Sequence, residues 1–135
     1  MPYAVVKRIE FCYGHRLLEY DGKCKHLHGH NGVLELTVEA PALDRLGMVV
    51  DFGVIRDVVK SWVDDQLDHR MILSSADPFV PVLQQLGEPL FLMDDNPTAE
   101  NLARLVLGEA RRRGLNVVEV RLWETPQACA VYRSG

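Results

Sequence analysis

The chain has 135 residues, of which 47% are hydrophobic and 25% are charged. These proportions are ordinary for a soluble globular protein, and the length suits a single domain over residues 1–135. The net charge of −4 argues against binding to nucleic acid or to an anionic membrane surface, so neither is an expected partner.

The cysteines and the N-terminal residues indicate the compartment. The three cysteines, Cys12, Cys24 and Cys129, form no CxxC pair, and an odd number argues against a disulfide framework. Residues 1–11 already alternate like a strand, unlike a signal peptide, and no apolar run reaches membrane-spanning length. We therefore expect a cytoplasmic protein with reduced cysteines.

Alternation of apolar and polar residues predicts two strands in the N-terminal part of the chain. The first covers residues 3–11, with Ile9 and Phe11 on its apolar face. The second covers residues 32–40, with Leu36 on its apolar face. Each strand therefore has one face for a core and one face for solvent.

Two helices are predicted after these strands. Asp51 can cap the first, and Thr98 can cap the second, which ends near Gly114. The apolar stripe of the first helix consists of Phe52, Ile55, Val58, Val59, Trp62 and Val63. Between the helices, residues 74–96 contain three prolines and a glycine, which predict a loop or irregular insertion with room for a short strand at 90–93.

Two further strands are predicted at the C-terminal end. Residues 116–124 form one, and residues 128–133 form the other after the break at Pro126. The inward residues of the first are Val118, Val120 and Leu122. The order ββααββ predicts an α+β fold in which a four-stranded sheet is backed by two helices. Such a sheet leaves two edges exposed, so we expect assembly into a closed homo-oligomer.

A histidine pair in the segment 23–30 is the strongest signal for a metal site. His28 and His30 are two residues apart, so in extended backbone both imidazoles point to the same side, roughly 6–7 Å apart. Both fall on the apolar side if the second strand extends back without a break, and His15 has matching parity in the first strand. Three ligands with an open position are typical of catalytic zinc. On spacing alone His26 could replace either partner, and chance or packing also explains many isolated HxH pairs.

Three other residues can carry proton transfer. Cys24 lies between two lysines beside the proposed metal, and positive neighbours favour a thiolate, although a half-buried inert cysteine is the alternative. Asp68 can fix the tautomer of His69. Adjacent residues do not face each other on a helix, so this pair requires that the chain leave the helix there. The alternative is a histidine favoured by a helix C-terminus.

Of two carboxylates at the ends of predicted elements, one is a candidate for ligand binding. Glu124 continues the parity of Leu122 and places a carboxylate at the end of an apolar face. A buried carboxylate needs a partner, and the guanidine-like edge of a heterocyclic ligand would provide one. A salt bridge to an arginine is the competing explanation. Glu100, in the first turn of the second helix, is explained by the helix dipole alone.

Together these motifs resemble the 6-pyruvoyl-tetrahydropterin synthase and 6-carboxy-tetrahydropterin synthase family over nearly the whole chain. The matching segments are Phe11-x-x-x-His15-Arg16-Leu17, Cys24-x-x-Leu27-His28-Gly29-His30, Val50-Asp51-Phe52, Leu67-Asp68-His69, Asn96-Pro97-Thr98-Ala99-Glu100-Asn101 and Glu124-Thr125. The combination in this order is far more specific than any one piece. The spacing from Cys24 to His30 and the segment 96–98 look more like the bacterial carboxy branch.

The resemblance implies roles for individual residues. The implied zinc ligands are His15, His28 and His30, which leaves His26 outside the metal. The implied proton-transfer residues are Cys24, Asp68 and His69. The implied pterin-binding residues are Glu124, Glu100 and Thr98.

The resemblance also implies a fold, an assembly and a reaction. The fold is the T-fold, a four-stranded antiparallel sheet with two helices. Its sheets join into an oligomeric barrel, commonly a hexamer built as a dimer of trimers, with active sites where subunits meet. The family substrate is 7,8-dihydroneopterin triphosphate. The carboxy branch, a step towards queuosine and other 7-deazapurines, yields 6-carboxytetrahydropterin, acetaldehyde and triphosphate.

Other readings of the family pattern stay open. One alternative to the carboxy branch is the pyruvoyl branch, which eliminates triphosphate and makes 6-pyruvoyl-tetrahydropterin. A second alternative is a related dihydroneopterin side-chain lyase. A non-catalytic zinc- and pterin-binding module is a rival from another class.

Three segments differ from the family pattern. Cys12-Tyr13-Gly14 stands where small residues, often alanines, usually precede the histidine, and Asn31-Gly32 stands where an aromatic residue commonly follows HGH. Both lie beside the zinc motifs and bear on the preference for the substrate side chain. Residues 74–95 are longer than in compact members, and we expect them to line a subunit contact or the rim of the site.

Overall fold

The computed structural model of the chain describes residues 1–134 and contains a six-stranded sheet. The strands are β1 (Tyr3–His15), β2 (His28–Ala40), β3 (Arg70–Ser74), β4 (Leu90–Met93), β5 (Val117–Thr125) and β6 (Ala128–Arg133). They lie side by side in the order β4-β3-β1-β2-β5-β6. Pairing is antiparallel from β1 through β2 and β5 to β6, whereas β3 and β4 extend the β1 edge with parallel pairing.

The helices begin at the caps that the sequence predicts. The helical segments are α1 (Phe52–Ile55), a π-helical turn (Arg56–Lys60), α2 (Ser61–Gln66), α3 (Phe79–Gln85) and α4 (Ala99–Arg112). The first three are continuous and form one rod. Asp51 Oδ1 accepts a hydrogen bond from the Gly53 N–H at 2.7 Å, and Thr98 Oγ1 accepts one from the Asn101 N–H at 3.1 Å. In residues 1–134 no helix has the length and apolar character needed to cross a membrane.

The predicted α+β class is confirmed, but the four-stranded sheet with two helices in the order ββααββ is incomplete. It describes β1, β2, β5, β6 and the two long helical rods, and it omits β3, β4 and α3. The prolines at 78 and 81 favoured a loop in the sequence. Pro78 precedes α3 and Pro81 lies in its first turn, where backbone N–H groups have no intrahelical partner in any case. The irregular insertion predicted over 74–96 is therefore wrong, whereas the short strand at Leu90–Met93 is confirmed.

One face of the sheet packs against the helices to form the core. The buried core residues of the strands include Ile9, Phe11, Leu34, Leu36, Val120 and Leu122. Those of the helices include Ile55, Val59, Val63, Leu102, Val106 and Ala110. The alternation predicted for β1 and β2 is therefore confirmed, and it continues on β1 to Tyr13 and His15.

Two residues predicted for the core lie outside it. A register shift between Thr37 and Val38 pairs Val38 with Val117, so Val117 is fully buried and Val118 is only half-buried. The shift precedes Val120, which keeps its predicted inward orientation. Phe52, at the start of α1, is 52% exposed, so the buried stripe of this helix begins at Ile55.

A tyrosine and a glycine fit together across β1 and β2. Tyr13 is 2% exposed and stacks on Phe11, with ring centroids 4.9 Å apart. A Cβ atom at Gly32 would lie 2.9 Å from Cε1 of Tyr13 and 3.1 Å from Cε1 of Phe11. The close approach of these rings therefore requires glycine at position 32.

Adding one methyl group at two different glycines tests this packing. Gly32→Ala is expected to lower the free energy of unfolding by about 1–3 kcal/mol, because the new group overpacks against two buried rings. Gly108→Ala makes the same change inside α4, where nothing lies within 4 Å of the added Cβ. It is expected to raise the free energy of unfolding by about 0.5–1 kcal/mol. Urea denaturation measures both, and effects of the same sign in the two variants would contradict the close-packing account.

Candidate metal centre and catalytic residues

The pairing of β1 with β2 brings three histidines together at one end of the core face. His15 lies directly opposite His28, and Tyr13 lies opposite His30. The ring centroids of the three histidines are separated by 4.6 to 5.2 Å. Their candidate ligand nitrogens all lie within 4.8 Å of one another. β2 begins at His28, so the parity predicted for the pair is confirmed.

Hydrogen bonds to backbone carbonyls orient two of the rings. Nδ1 of His15 lies 2.7 Å from the Pro97 oxygen, and Nδ1 of His28 lies 2.7 Å from the His26 oxygen. A carbonyl oxygen only accepts, so both Nδ1 atoms carry a proton and each Nε2 keeps its lone pair. Burial lowers the pKa of His15, which keeps its imidazole neutral.

The free nitrogens of this cluster fit a metal ion. Within residues 1–134, the buried Nε2 atoms of His15 and His30 have no hydrogen-bond partner. A buried polar atom without a partner is costly, and a metal ion would satisfy these lone pairs. His26 is exposed and lies outside the cluster, to which it contributes only its carbonyl oxygen. The cluster can therefore hold a metal ion through His15, His28 and His30.

Glu124 lies beside the histidines. Its Oε1 is 3.9 Å from His15 Nε2 and its Oε2 is 3.7 Å from His30 Nε2, which is too far for hydrogen bonds. In the described part of the chain, Glu124 forms no ion pair with an arginine, so the competing explanation of a salt bridge does not apply. The carboxylate lines a cavity of about 360 Å³ and is available to a ligand there.

The same cavity gathers most of the other predicted site residues. Its lining includes His15, Cys24, Thr98, Glu100, Glu124 and Cys129. Cys24 is half-buried in a 3-10 turn (Lys23–Lys25). Thr98 caps α4, and Glu100 follows in its first turn with an exposed side chain. The catalytic role of Cys24 and the pterin-binding roles of Thr98, Glu100 and Glu124 remain predictions.

Asp68 and His69 form a hydrogen-bonded pair at the start of β3. His69 Nδ1 lies 2.8 Å from Asp68 Oδ2, and Asp68 Oδ1 accepts a hydrogen bond from the Cys12 N–H at 2.8 Å. The helix ends at Gln66 and His69 adopts a φ of +58°, so the two adjacent side chains can meet. Burial opposes the charged form of Asp68, but the hydrogen bonds from Cys12 and His69 outweigh it and lower its pKa. Asp68 is therefore ionised at neutral pH and fixes the His69 ring.

His69 does not face Cys24 within one chain. It lines a cavity with Cys12, Gly14 and His28, so it lies near one histidine of the cluster, but this cavity shares no residue with the one that contains Cys24. Cys12 and Gly14 point to the face of β1 opposite to Tyr13 and His15, because side chains alternate along a strand. The side chain of His69 is 78% exposed. A single chain therefore keeps the two predicted proton-transfer groups apart.

Tyr13 lies beside the histidine cluster, although the sequence analysis did not propose it as a site residue. Its ring centroid lies 5.3 Å from that of His15 and 5.7 Å from that of His30. Burial, with a smaller contribution from Glu124, raises its pKa, so the hydroxyl stays protonated. In the described residues this buried hydroxyl has no hydrogen-bond partner. The alternation Phe11, Tyr13, His15 was the signal that could have assigned it to this face.

Comparison with known proteins assigns the family. Residues 4–135 match the sequence model of 6-pyruvoyl tetrahydropterin synthase. The chain belongs to this family. The resemblance inferred from the motifs is therefore confirmed, and the match covers the histidine cluster, Cys24, the Asp68–His69 pair and Glu124.

Relatives within the family carry the name of the carboxy branch. The 6-carboxy-5,6,7,8-tetrahydropterin synthase of Rickettsia bellii is 41% identical over 127 residues, which cover 89% of this chain and 92% of the relative. The protein of the same name from Haemophilus influenzae is 29% identical, and the match covers 97% of this chain and 99% of the relative.

Solved structures share the fold. An uncharacterized protein from Wolinella succinogenes superposes with a TM-score of 0.81 at 26% identity, and the match covers 98% of each chain. The 6-pyruvoyl tetrahydropterin synthase of Caenorhabditis elegans superposes with a TM-score of 0.73 at 22% identity, over 98% of this chain and 96% of that chain. At this identity the second match supports the fold alone.

Zinc titration of single-residue variants distinguishes the three predicted zinc ligands from His26. His30→Ala is expected to weaken Zn²⁺ binding by about 100-fold or more, because it removes one of three ligands. It should also abolish the rise in melting temperature that the ion gives the parent protein. His26→Ala is the matched control, since it keeps the backbone carbonyl that orients His28, and it should bind Zn²⁺ like the parent. Calorimetric titration measures both affinities, and an equal loss in the two variants would contradict the ligand set.

Proposed function

We propose that this protein is a zinc-dependent 6-carboxy-5,6,7,8-tetrahydropterin synthase of the cytoplasm. Its substrate is 7,8-dihydroneopterin triphosphate, and its products are 6-carboxytetrahydropterin, acetaldehyde and triphosphate. The reaction is a step towards queuosine and other 7-deazapurines. The observation that carries the proposal is the cavity lined by His15 of the histidine cluster, Cys24 and Glu124, in a chain 41% identical to a protein of that name.

The residues of the cavity divide the chemistry between them. His15, His28 and His30 would hold the zinc ion through their Nε2 atoms. When bound, zinc supplies a Lewis acid that polarises the side-chain oxygens of the substrate and stabilises developing negative charge. Glu124 accepts hydrogen bonds from the guanidine-like edge of the pterin, and Thr98 and Glu100 border the pterin from the start of α4.

Proton transfer needs one group that removes a proton and another that returns it. Cys24 lines the cavity beside His15 and acts as the thiolate base. His69 acts as the partner acid or base, since Asp68 holds its Nδ1 and leaves its Nε2 free. Because His69 and Cys24 line different cavities of one chain, we place His69 of one copy in the site of another copy.

Exposed apolar residues support assembly of several copies. Leu46 is 62% exposed, Phe52 is 52% exposed and Val54 is 44% exposed in the single chain. The sheet also has β4 and β6 as its outer strands, and unpaired edges favour association with another chain. We propose a homo-oligomer, a hexamer built as a dimer of trimers, in which these surfaces are covered.

Product analysis tests the reaction. The zinc-loaded protein is incubated with 7,8-dihydroneopterin triphosphate, and the products are identified by mass spectrometry together with an acetaldehyde assay. We expect a carboxylated pterin with stoichiometric acetaldehyde. Cys24→Ala should lower turnover by about 100-fold or more while zinc and pterin binding persist, because it removes the base and leaves the ligands. A pyruvoyl pterin without acetaldehyde would assign the other branch, and unchanged turnover in Cys24→Ala would refute the assigned base.

Mixed oligomers test whether the site is shared between copies. Cys24→Ala and His69→Ala are each expected to be inactive, whereas oligomers that contain both variants should regain activity. In a random mixture roughly one site in four receives an intact Cys24 and an intact His69, so about a quarter of the parent activity should return. Co-expression with two purification tags isolates the mixed species. If both residues acted from the same chain, the mixture would stay inactive although each variant assembles and binds zinc.

A further inference from the structure

Arg16 forms a two-pronged ion pair with a carboxylate far away in the sequence. Its Nε donates to Asp77 Oδ2 at 2.7 Å, and its Nη2 donates to Asp77 Oδ1 at 2.9 Å. The side chain of Asp77 is fully buried and that of Arg16 is 14% exposed. Paired hydrogen bonds of this kind fix the plane of the guanidinium as well as its position.

The remaining nitrogen of Arg16 reaches the turn that carries Cys24. Nη1 donates to the Lys25 oxygen at 3.0 Å, and the neighbouring Leu17 N–H donates to the Cys24 oxygen at 2.8 Å. The two residues that follow His15 therefore hold the carbonyl groups of Cys24 and of the residue after it. These hydrogen bonds link the cysteine to the strand that supplies a metal ligand.

Asp77 is itself held in place by α3. Its Oδ1 also accepts a hydrogen bond from the Phe79 N–H at 2.8 Å, and the Arg16 guanidinium lies 3.9 Å from the centroid of the Phe79 ring. Asp77 belongs to the segment 74–95, whose role the sequence left open. A path of direct contacts therefore leads from this segment through Arg16 to the Cys24 turn.

We infer that Asp77 and Arg16 are positioning residues that set the location of the Cys24 thiol relative to the metal cluster. The inference rests on the proposed function, because Cys24 must act as a base for its position to matter to turnover. A purely structural role predicts something different. Breaking a buried ion pair would then weaken the whole chain and would not act on one cysteine in particular.

Two substitutions loosen the pair in different ways. Asp77→Asn keeps the size of the side chain and an oxygen for the Phe79 N–H, and it removes the charge and one acceptor for Arg16. Arg16→Lys keeps the charge, but a single ammonium cannot hold both Asp77 oxygens and the Lys25 carbonyl in one plane. Asp64→Asn is the matched control, because it breaks an exposed ion pair with Lys60 on the first helical rod.

The thiols serve as the readout, since all three are free and Cys12 lies outside the cavity that Cys24 and Cys129 share. In the zinc-loaded protein, iodoacetamide labelling is followed for each cysteine by peptide mass spectrometry. In both variants the labelling rate of Cys24 is expected to rise about tenfold or more, because its half-buried turn opens locally. The rate of Cys12, which lines another cavity, should stay as in the parent, and Asp64→Asn should change none of the three rates.

Kinetics adds a second readout of the same inference. With the pterin substrate, kcat should fall about 10- to 100-fold while KM changes by less than about threefold, because the thiol is misplaced and the binding groups are not. The pH dependence of kcat should also differ from that of the parent, whereas that of Asp64→Asn should not.

Several outcomes would overturn the inference. Unchanged labelling of Cys24 in Arg16→Lys and Asp77→Asn would do so, and so would a parallel rise at all three cysteines. Failure of both variants to fold would assign the pair to general stability and would overturn it as well. Absence of turnover in the parent protein would instead refute the proposed function, and the labelling result would still decide whether the pair positions Cys24.

Discussion

The antiparallel register of β1 with β2 is the constraint on which the candidate site depends. It pairs His15 with His28 and Tyr13 with His30, so histidines from two strands meet without any contribution from loop geometry. Because side chains alternate along a strand, a slip of one residue would send His28 and His30 to the opposite face of the sheet. The buried apolar residues that precede His15 on β1 and follow His30 on β2 hold this register. Folding and metal-site assembly are thus the same event on these two strands.

The site lies at the end of the hydrophobic face of the sheet, so burial of its polar atoms without hydrogen-bond partners lowers the stability of the fold. Two buried ring nitrogens, on His15 and His30, have no partner in the described chain. Unpartnered buried groups cost about 1–3 kcal/mol each in typical proteins, so occupancy of the cluster and stability of the fold are coupled. The carbonyl of Pro97 connects this region to the segment before α4 by accepting a hydrogen bond from His15. The metal cluster therefore connects the sheet to the helix that borders the proposed pterin site.

The periodicity of apolar residues and the capping residues correctly predicted the long strands and the starts of the long helices. Strand parity located the three histidines and Glu124, and capping rules located the starts of the two long helical rods. The short strand β3 and the helix α3 escaped, because five apolar-rich residues and a pair of prolines carry no distinctive period. Val118 was misassigned because a register shift depends on the partner strand and not on the residues of β5 alone.

Local sequence patterns also did not predict the contacts between segments that are distant in the sequence. From the sequence, Asp68 and His69 can pair only if the chain leaves the helix there. The structure meets this condition because the backbone of His69 lies in the left-handed region. Arg16 and Asp77 lie 61 positions apart in the sequence, and the residues around each of them do not indicate which residue it pairs with. The placement of His69 and Cys24 in two different cavities likewise follows from topology. Local sequence patterns therefore identify candidate site residues in strands and loops alike, whereas contacts between distant segments are visible only in the folded chain.

The packing of Tyr13 over Gly32 has a consequence for how this chain can vary over evolutionary time. A larger residue at position 32 meets the tyrosine ring, and a smaller residue at position 13 leaves a void beside the histidines. Because a Cβ atom at position 32 would also lie 3.1 Å from Phe11, a change at position 13 alone does not make room for a larger residue there. A replacement at position 32 therefore requires compensating changes at positions 11 and 13 together. The packing beside the histidine cluster thus constrains substitution at three positions at once.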